Sequence, residues 1–186
     1  MRYVTSDLHF GHRNIFKFCP DTRPWADTEQ MQQALIQAIN SLPHCEILYV
    51  LGDFYFGKSQ QVRDIMDQIQ VPITFVWGNH DSDKIRKIIT EEYGCAGHDY
   101  YETKHEGKKV VMFHYPIYRD WNCSHYGSIH LHGHLHGRDI GSNGKSLDVG
   151  WDAHGRILTL DEAVELADRN PIQCFHEVPE KVDTGS

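Results

Sequence analysis

Five short apolar runs in this 186-residue chain each end on a polar motif of Asp, Asn or His. The motifs are Asp7-Leu8-His9, Gly52-Asp53, Gly78-Asn79-His80-Asp81, His114 and Gly133-His134-Leu135-His136. Runs this short, rich in Val, Ile and aromatic residues and punctuated by Gly, read as buried strands. Each motif alone is common. Asp-x-His is ordinary surface chemistry, Gly-Asp after a strand is usually a turn, and Asp81 suits a helix N-cap. Together they offer two Asp, one Asn and four His as metal ligands and leave His80 spare. That inventory suits a pair of divalent cations sharing one carboxylate, an arrangement that hydrolyses phosphate esters.

The remaining pattern organises the chain. Residues 2–6 read as a strand and 14–19 as a brief helix. Asp27 reads as an N-cap with Gln30 in capping-box position, opening a helix to about Leu42. A strand over 46–51, a helix over 59–69, a strand over 73–77 and a helix over 83–92 follow. The rhythm then changes. Residues 99–103 and 108–114 read as a hairpin around Glu106-Gly107, and 128–132, 145–149 and 156–159 as further strands. Asp161 reads as the cap of a last helix. From Asn170 the chain is polar and Pro-containing and reads as a loose tail. No repeat or linker interrupts residues 1–186, so the expectation is one domain. Two mixed sheets packed together with helices outside satisfy both halves.

The chemistry asks for these residue types. A ligand shared by two cations should be a carboxylate, which points to Asp53. Asp7 and His9 are two apart, as are His134 and His136, so on extended strand ends each pair points one way. Asn79 is neutral and leaves the metals electrophilic. Glycines before Asp53, Asn79 and His134 allow tight turns and close backbone approach. Mixed N and O donors suit Mn²⁺, Fe, Co²⁺, Ni²⁺ or Zn²⁺ better than Ca²⁺.

At this point the chain resembles the calcineurin-like metallophosphoesterases. The motifs span residues 7–136, and closest in look are small, uncapped bacterial and phage members. Those share a start like Ser6-Asp7-Leu8-His9-Phe10-Gly11-His12 and a late strand like Val149-Gly150-Trp151-Asp152. The resemblance implies an α/β fold, a four-layer α/β/β/α sandwich with a dinuclear site at strand ends. It implies that Asp7, His9, Asp53 and His136 hold one metal. Asp53, Asn79, His114 and His134 would hold the other, with Asp53 bridging and His80 facing the scissile phosphate. Attack by a metal-bridging hydroxide would follow, with Mn²⁺ the first choice of metal. The protein phosphatase branch carries Gly-Asp-x-Val-Asp-Arg-Gly, whereas this chain has Gly52-Asp53-Phe54-Tyr55-Phe56-Gly57. The Asp that orients the catalytic His and the phosphate-gripping Arg are both missing. That disfavours phosphoproteins, and it leaves open what orients His80. The favoured reading is a phosphodiesterase on small or nucleotide-like substrates, ahead of a phosphomonoesterase or nuclease. The rival from another class is a non-catalytic protein-binding scaffold.

Composition narrows the partners. A net charge of −8 argues against a strong non-specific grip on nucleic acid. No stretch is apolar for about 18 residues, and the N-terminus has no apolar core of a signal peptide. Five scattered cysteines without a Cys-x-x-Cys read as reduced thiols in a cytoplasmic protein. His12, Arg23, Tyr115 and Arg119 are candidate substrate contacts, with Arg13 and Trp121 in similar loops. His130 and His132 read as packing or support for ligands. His44, His98, His105, His154 and His176 read as surface, and Asp148 and Asp152 as late-strand residues outside the metal set.

Overall fold

The computed structural model describes residues 1–141 and 143–175, so His176 and the end of the expected tail lie outside the described residues. Strands β1 (Arg2–Thr5), β2 (Ile47–Leu51) and β3 (Ile73–Val76) are almost wholly buried. They pair in parallel, as short apolar runs do when both faces of a sheet are covered, here by helices on one face and the second sheet on the other. β4 (Ala96–His98) extends this sheet at one edge. It carries no apolar run and has no strand signal. Gly97 at its centre admits the Trp77 indole, since a Cβ there would lie 2.1 Å from that ring.

Helix α1 (Ile15–Phe18) is a single turn. Helix α2 (Thr28–Asn40) begins as its sequence expects, with the Asp27 carboxylate accepting the Gln30 N–H at 2.9 Å. It buries Met31, Leu35, Ile36 and Ile39. Helix α3 (Gln61–Met66) is shorter than the expected span. Helix α4 (Asp83–Lys87) continues into a π-helical turn at Ile88–Glu92.

In the second half, β5 (Tyr101–His105) and β6 (Lys108–Met112) form the expected hairpin. Glu106 and Gly107 both have positive φ, as a two-residue turn of this kind requires. β7 (Ile129–His132) and β8 (Ser146–Asp148) add in parallel, giving a sheet of order β5-β6-β7-β8. The expected late strand ends at Asp148, and α5 (Trp151–His154) follows as one helical turn with Gly150 at its N-cap. β9 (Leu158–Thr159) returns to pair antiparallel with β1, so the first sheet runs β4-β3-β2-β1-β9. Helix α6 (Leu160–Asp168) is capped by Thr159, whose hydroxyl accepts the Glu162 N–H, rather than by Asp161. Asp161 lies inside the first turn, where its charge still favours the helix dipole.

The two sheets bury Val4, Tyr49, Leu51 and Val76 against Val110, Met112, Ile129 and Leu131. This is the expected α/β sandwich of two mixed sheets flanked by helices. No helix of the described residues is long and apolar enough to cross a membrane.

Candidate metal centre

The motif-bearing ends of β1, β2, β3, β6 and β7 meet at one edge of the sandwich. The local backbone differs from the extended alternation expected there. Asp7, His9, Asp53, His134 and His136 all have left-handed φ, between 51° and 71°. Such residues cost of order 1–3 kcal/mol each and persist where their surroundings over-determine them. Here the Asp7 N–H donates to the Gly52 carbonyl at 3.0 Å, and the His9 N–H to that of Asp53 at 2.9 Å. The pairs converge because each ligand turns back on its own strand end, not because strand parity is kept. Two glycines make the approach possible. A Cβ on Gly78 would sit 2.2 Å from Asp53 Oδ1, and one on Gly133 would sit 2.3 Å from Asp7 Oδ2.

Two groups of donors result. Asp7, His9 and His136 form one, and Asp53, His114 and His134 the other. Asp53 Oδ2 lies between them, 3.7 Å from His9 Nε2 and 3.5 Å from His114 Nε2. Asn79 Oδ1 is 3.0 Å from His114 Nε2, which places it beside the second group. All seven candidate ligands named from sequence therefore come together.

Each group has its own support. His136 Nδ1 bonds Asp152 Oδ2 at 2.7 Å, leaving Nε2 directed at the centre, 3.9 Å from Asp7 Oδ1. Arg23 grips Asp152 with two bonds, at 2.8 and 2.9 Å, and also donates to the carbonyls of Asp7 and Leu8. Its guanidinium is buried and fully engaged, so Arg23 braces the site from beneath and is not a substrate contact. Asp152 sits on α5, not on a strand. In the other group, the His114 Nδ1–H donates to the Leu51 carbonyl at 2.8 Å. Asp81 does not cap α4, whose cap position is Ser82. Its carboxylate instead accepts the N–H groups of Asp53, Phe54 and Gly78, at 2.8–3.0 Å. That clamps two motif loops together. Gly78-Asn79-His80-Asp81 carries the capping pattern, but the loops compete for the carboxylate and win.

His80 lies at the mouth, 39% exposed, with Nε2 3.9 Å from Asp53 Oδ2. Its backbone N–H donates to Asp53 Oδ1, and its ring meets the Phe56 ring edge-on at 5.1 Å. His12 stacks near Phe56 at 4.3 Å, and burial with neighbouring imidazoles pushes its pKa down to about 4. Tyr115 packs its ring on His114 and His134. Arg119 lies over the Tyr118 ring, and its N–H bonds Asn143. Trp121 is buried with its indole N–H on the Ser128 carbonyl. His130 is buried and supports a loop through the Ile117 N–H, and His132 bonds the Gly133 carbonyl. His105 is buried between Arg2 and Asp161 rather than at the surface. Sequence reading missed Arg138, which lines a cavity of about 460 Å³ together with His9, His80 and His136. Only its closeness to His136 in sequence could have marked it.

The donor set fits a cation. Asp7 Oδ1 and both ring nitrogens of His9 are buried without a hydrogen-bond partner. Among the described residues, no Lys or Arg pairs with the carboxylates of Asp7 or Asp53. Burial by itself would raise the Asp7 carboxyl, but the His9 and His114 imidazoles outweigh it and hold it below the usual range. Burial lowers His134. It would also lower His136, but the Asp152 bond overrides it and raises that imidazole.

The family model of the Calcineurin-like phosphoesterase superfamily domain matches residues 2–150, so the chain belongs to this superfamily of metal-dependent phosphoesterases. Its relatives include the uncharacterized protein MJ1445 of Methanocaldococcus jannaschii, 28% identical, covering 91% of this chain and 93% of that protein. Another is the gene 66 protein of Mycobacterium phage D29, 23% identical, covering 88% of this chain and 94% of that one. Among solved structures, the protein AQ665 of Aquifex aeolicus superposes with a TM-score of 0.70 at 22% identity. That match covers 89% of this chain and 98% of the other, and it supports the fold.

Proposed function

We propose that this chain hydrolyses phosphodiesters of small or nucleotide-like type, using two divalent ions held between the Asp7 and Asp53 groups. The observation that carries it is the pair of buried carboxylates, paired with no Lys or Arg among the described residues, beside convergent imidazoles, with Asp7 Oδ1 and both His9 ring nitrogens left without hydrogen-bond partners. Asp7, His9 and His136 would hold one ion and Asn79, His114 and His134 the other, with Asp53 shared. Mn²⁺ is the first choice for loading, with Fe, Zn²⁺, Co²⁺ and Ni²⁺ compatible with the same donors. Bound ions would supply Lewis acidity and a lowered water pKa. His80 is exposed at the mouth and outside both donor groups, which supports a role in which it would protonate the leaving oxygen. A diester carries one negative charge and asks less of added cations than a monoester dianion does. The stretch Gly52-Asp53-Phe54-Tyr55-Phe56-Gly57 lacks the Arg that the phosphoprotein branch carries in this motif, which favours the diester. The scaffold reading gives no reason for all seven ligands and His80 to converge.

Purified protein loaded with Mn²⁺ should hydrolyse bis(p-nitrophenyl) phosphate, faster than p-nitrophenyl phosphate and much faster than a phosphopeptide. Activity should vanish with chelator and return with metal. Absence of metal-dependent turnover on any ester would favour the scaffold. A phosphopeptide preference would overturn the substrate class.

A further inference from the structure

The cavity beside the Asp7 group continues away from the centre along aromatic rings. His80 meets Phe56 at 5.1 Å, Phe56 meets His12 at 4.3 Å, and His12 approaches Phe18 at 6.4 Å. Phe18 is 66% exposed and Phe56 41%, so two large rings stand in solvent beside the chemistry. Ile15 and Cys19 complete an apolar floor, and no carboxylate lines the wall. Arg138 stands on the same wall, and its side chain has no ion-pair partner among the described residues. The cavity's size is within the range of small-molecule sites. An aromatic floor, one unpaired cation and the His9–His80–His136 wall together suit a flat ring joined to a phosphate.

We propose that this cavity is the subsite for a nucleobase attached to the phosphate, with Phe18 as its stacking surface and Arg138 as a contact to the anion. This rests on the phosphoesterase reading above and names its substrate class. Stacking a base on an aromatic side chain is worth roughly 5- to 150-fold in affinity. Phe18 lies mostly outside the core, so truncating it spares the fold.

Adenosine 5′-monophosphate and ribose 5-phosphate share the sugar phosphate and differ at C1, where one carries the base and the other a hydroxyl. Calorimetric titration of the Mn²⁺-loaded protein should show the nucleotide binding at least about tenfold tighter. Phe18→Ala should narrow that gap below about threefold, and Phe18→Trp should restore it. Arg138→Ala should weaken both ligands alike. Equal affinities in the unaltered protein, or a gap that survives Phe18→Ala, would overturn the subsite. If bis(p-nitrophenyl) phosphate is still hydrolysed, only this inference falls. If there is neither hydrolysis nor binding, the phosphoesterase reading falls and takes the subsite with it.

Discussion

The two halves of the centre use the same kinds of donor but are held by different means. The Asp7–His9–His136 half rests on charge. Asp152 orients His136, Arg23 holds Asp152, and Thr22 donates to the same carboxylate. The Asp53–His114–His134 half rests on backbone. A strand carbonyl fixes His114, and three N–H groups converge on Asp81. It is also the more open half, since Asn79 and His134 are exposed. A side chain held by a carboxylate can be released by one conservative substitution, whereas one held by a strand carbonyl cannot. The halves should therefore fail separately, except at the residue they share.

Asp53 is that residue, and its loss should have the largest effect. Asp53→Asn should strip both equivalents of metal and abolish turnover. Retention of two equivalents in elemental analysis would remove Asp53 from the bridging role. His80 belongs to neither half, so His80→Ala should leave both ions in place while kcat falls roughly 10²–10⁴-fold. The deficit should be larger for an alkyl ester than for a nitrophenyl ester, whose leaving group needs little protonation. Metal loss alongside activity would make His80 a ligand or a structural residue. An unchanged rate on the alkyl ester would end the acid role.

The motif residues were legible because each follows an apolar run that can only be a buried strand. Their geometry was not. Parity along a strand predicted that Asp7 and His9 would point one way. The chain instead places both in the left-handed region, which local sequence does not signal for Asp or His. The supports were least legible. Arg23 lies 129 positions from Asp152, and their bond exists only because the loop between α1 and α2 packs against α5. Asp81 sits in a sequence that suits a helix cap, and only the meeting of two motif loops recruits it. β4 was missed because Gly97, which weakens a strand signal, is what lets Trp77 pack.

Asp152→Asn tests the first half alone. An amide in place of the carboxylate should loosen the His136 tautomer and weaken that half's ion about 10- to 100-fold, leaving the other nearly unchanged. A two-site titration with Mn²⁺ would show one affinity moving. Equal weakening of both would mean that the halves are coupled through the shared carboxylate and are not independent. In the unaltered protein Asp152 stays ionised well below the usual carboxylate range, burial being outweighed by His136 and Arg23. This brace should accordingly survive mild acid.

The second half has an acid-sensitive neighbour, and that gives the smallest expected effect. His130 accepts the Ile117 N–H at 3.0 Å and so steadies the loop that carries Tyr115 against His114 and His134. Its ring is fully buried, and burial, with His132 adding to it, pushes its pKa down to about 3. The folded state keeps His130 neutral, while the unfolded chain takes up a proton near the ordinary value of about 6.5. Its contribution to stability is therefore fully present above that value and is lost progressively as pH falls from about 6.5 toward 3. A single histidine contributes at most about 1.4 kcal/mol per pH unit over that window. Denaturant unfolding between pH 7.5 and 4.5 should show stability falling with pH, and His130→Gln should flatten the slope. The slope will not vanish, because His12, His132 and His134 are lowered as well. An identical slope in the variant would show that the loop beside the second half draws no pH dependence from His130.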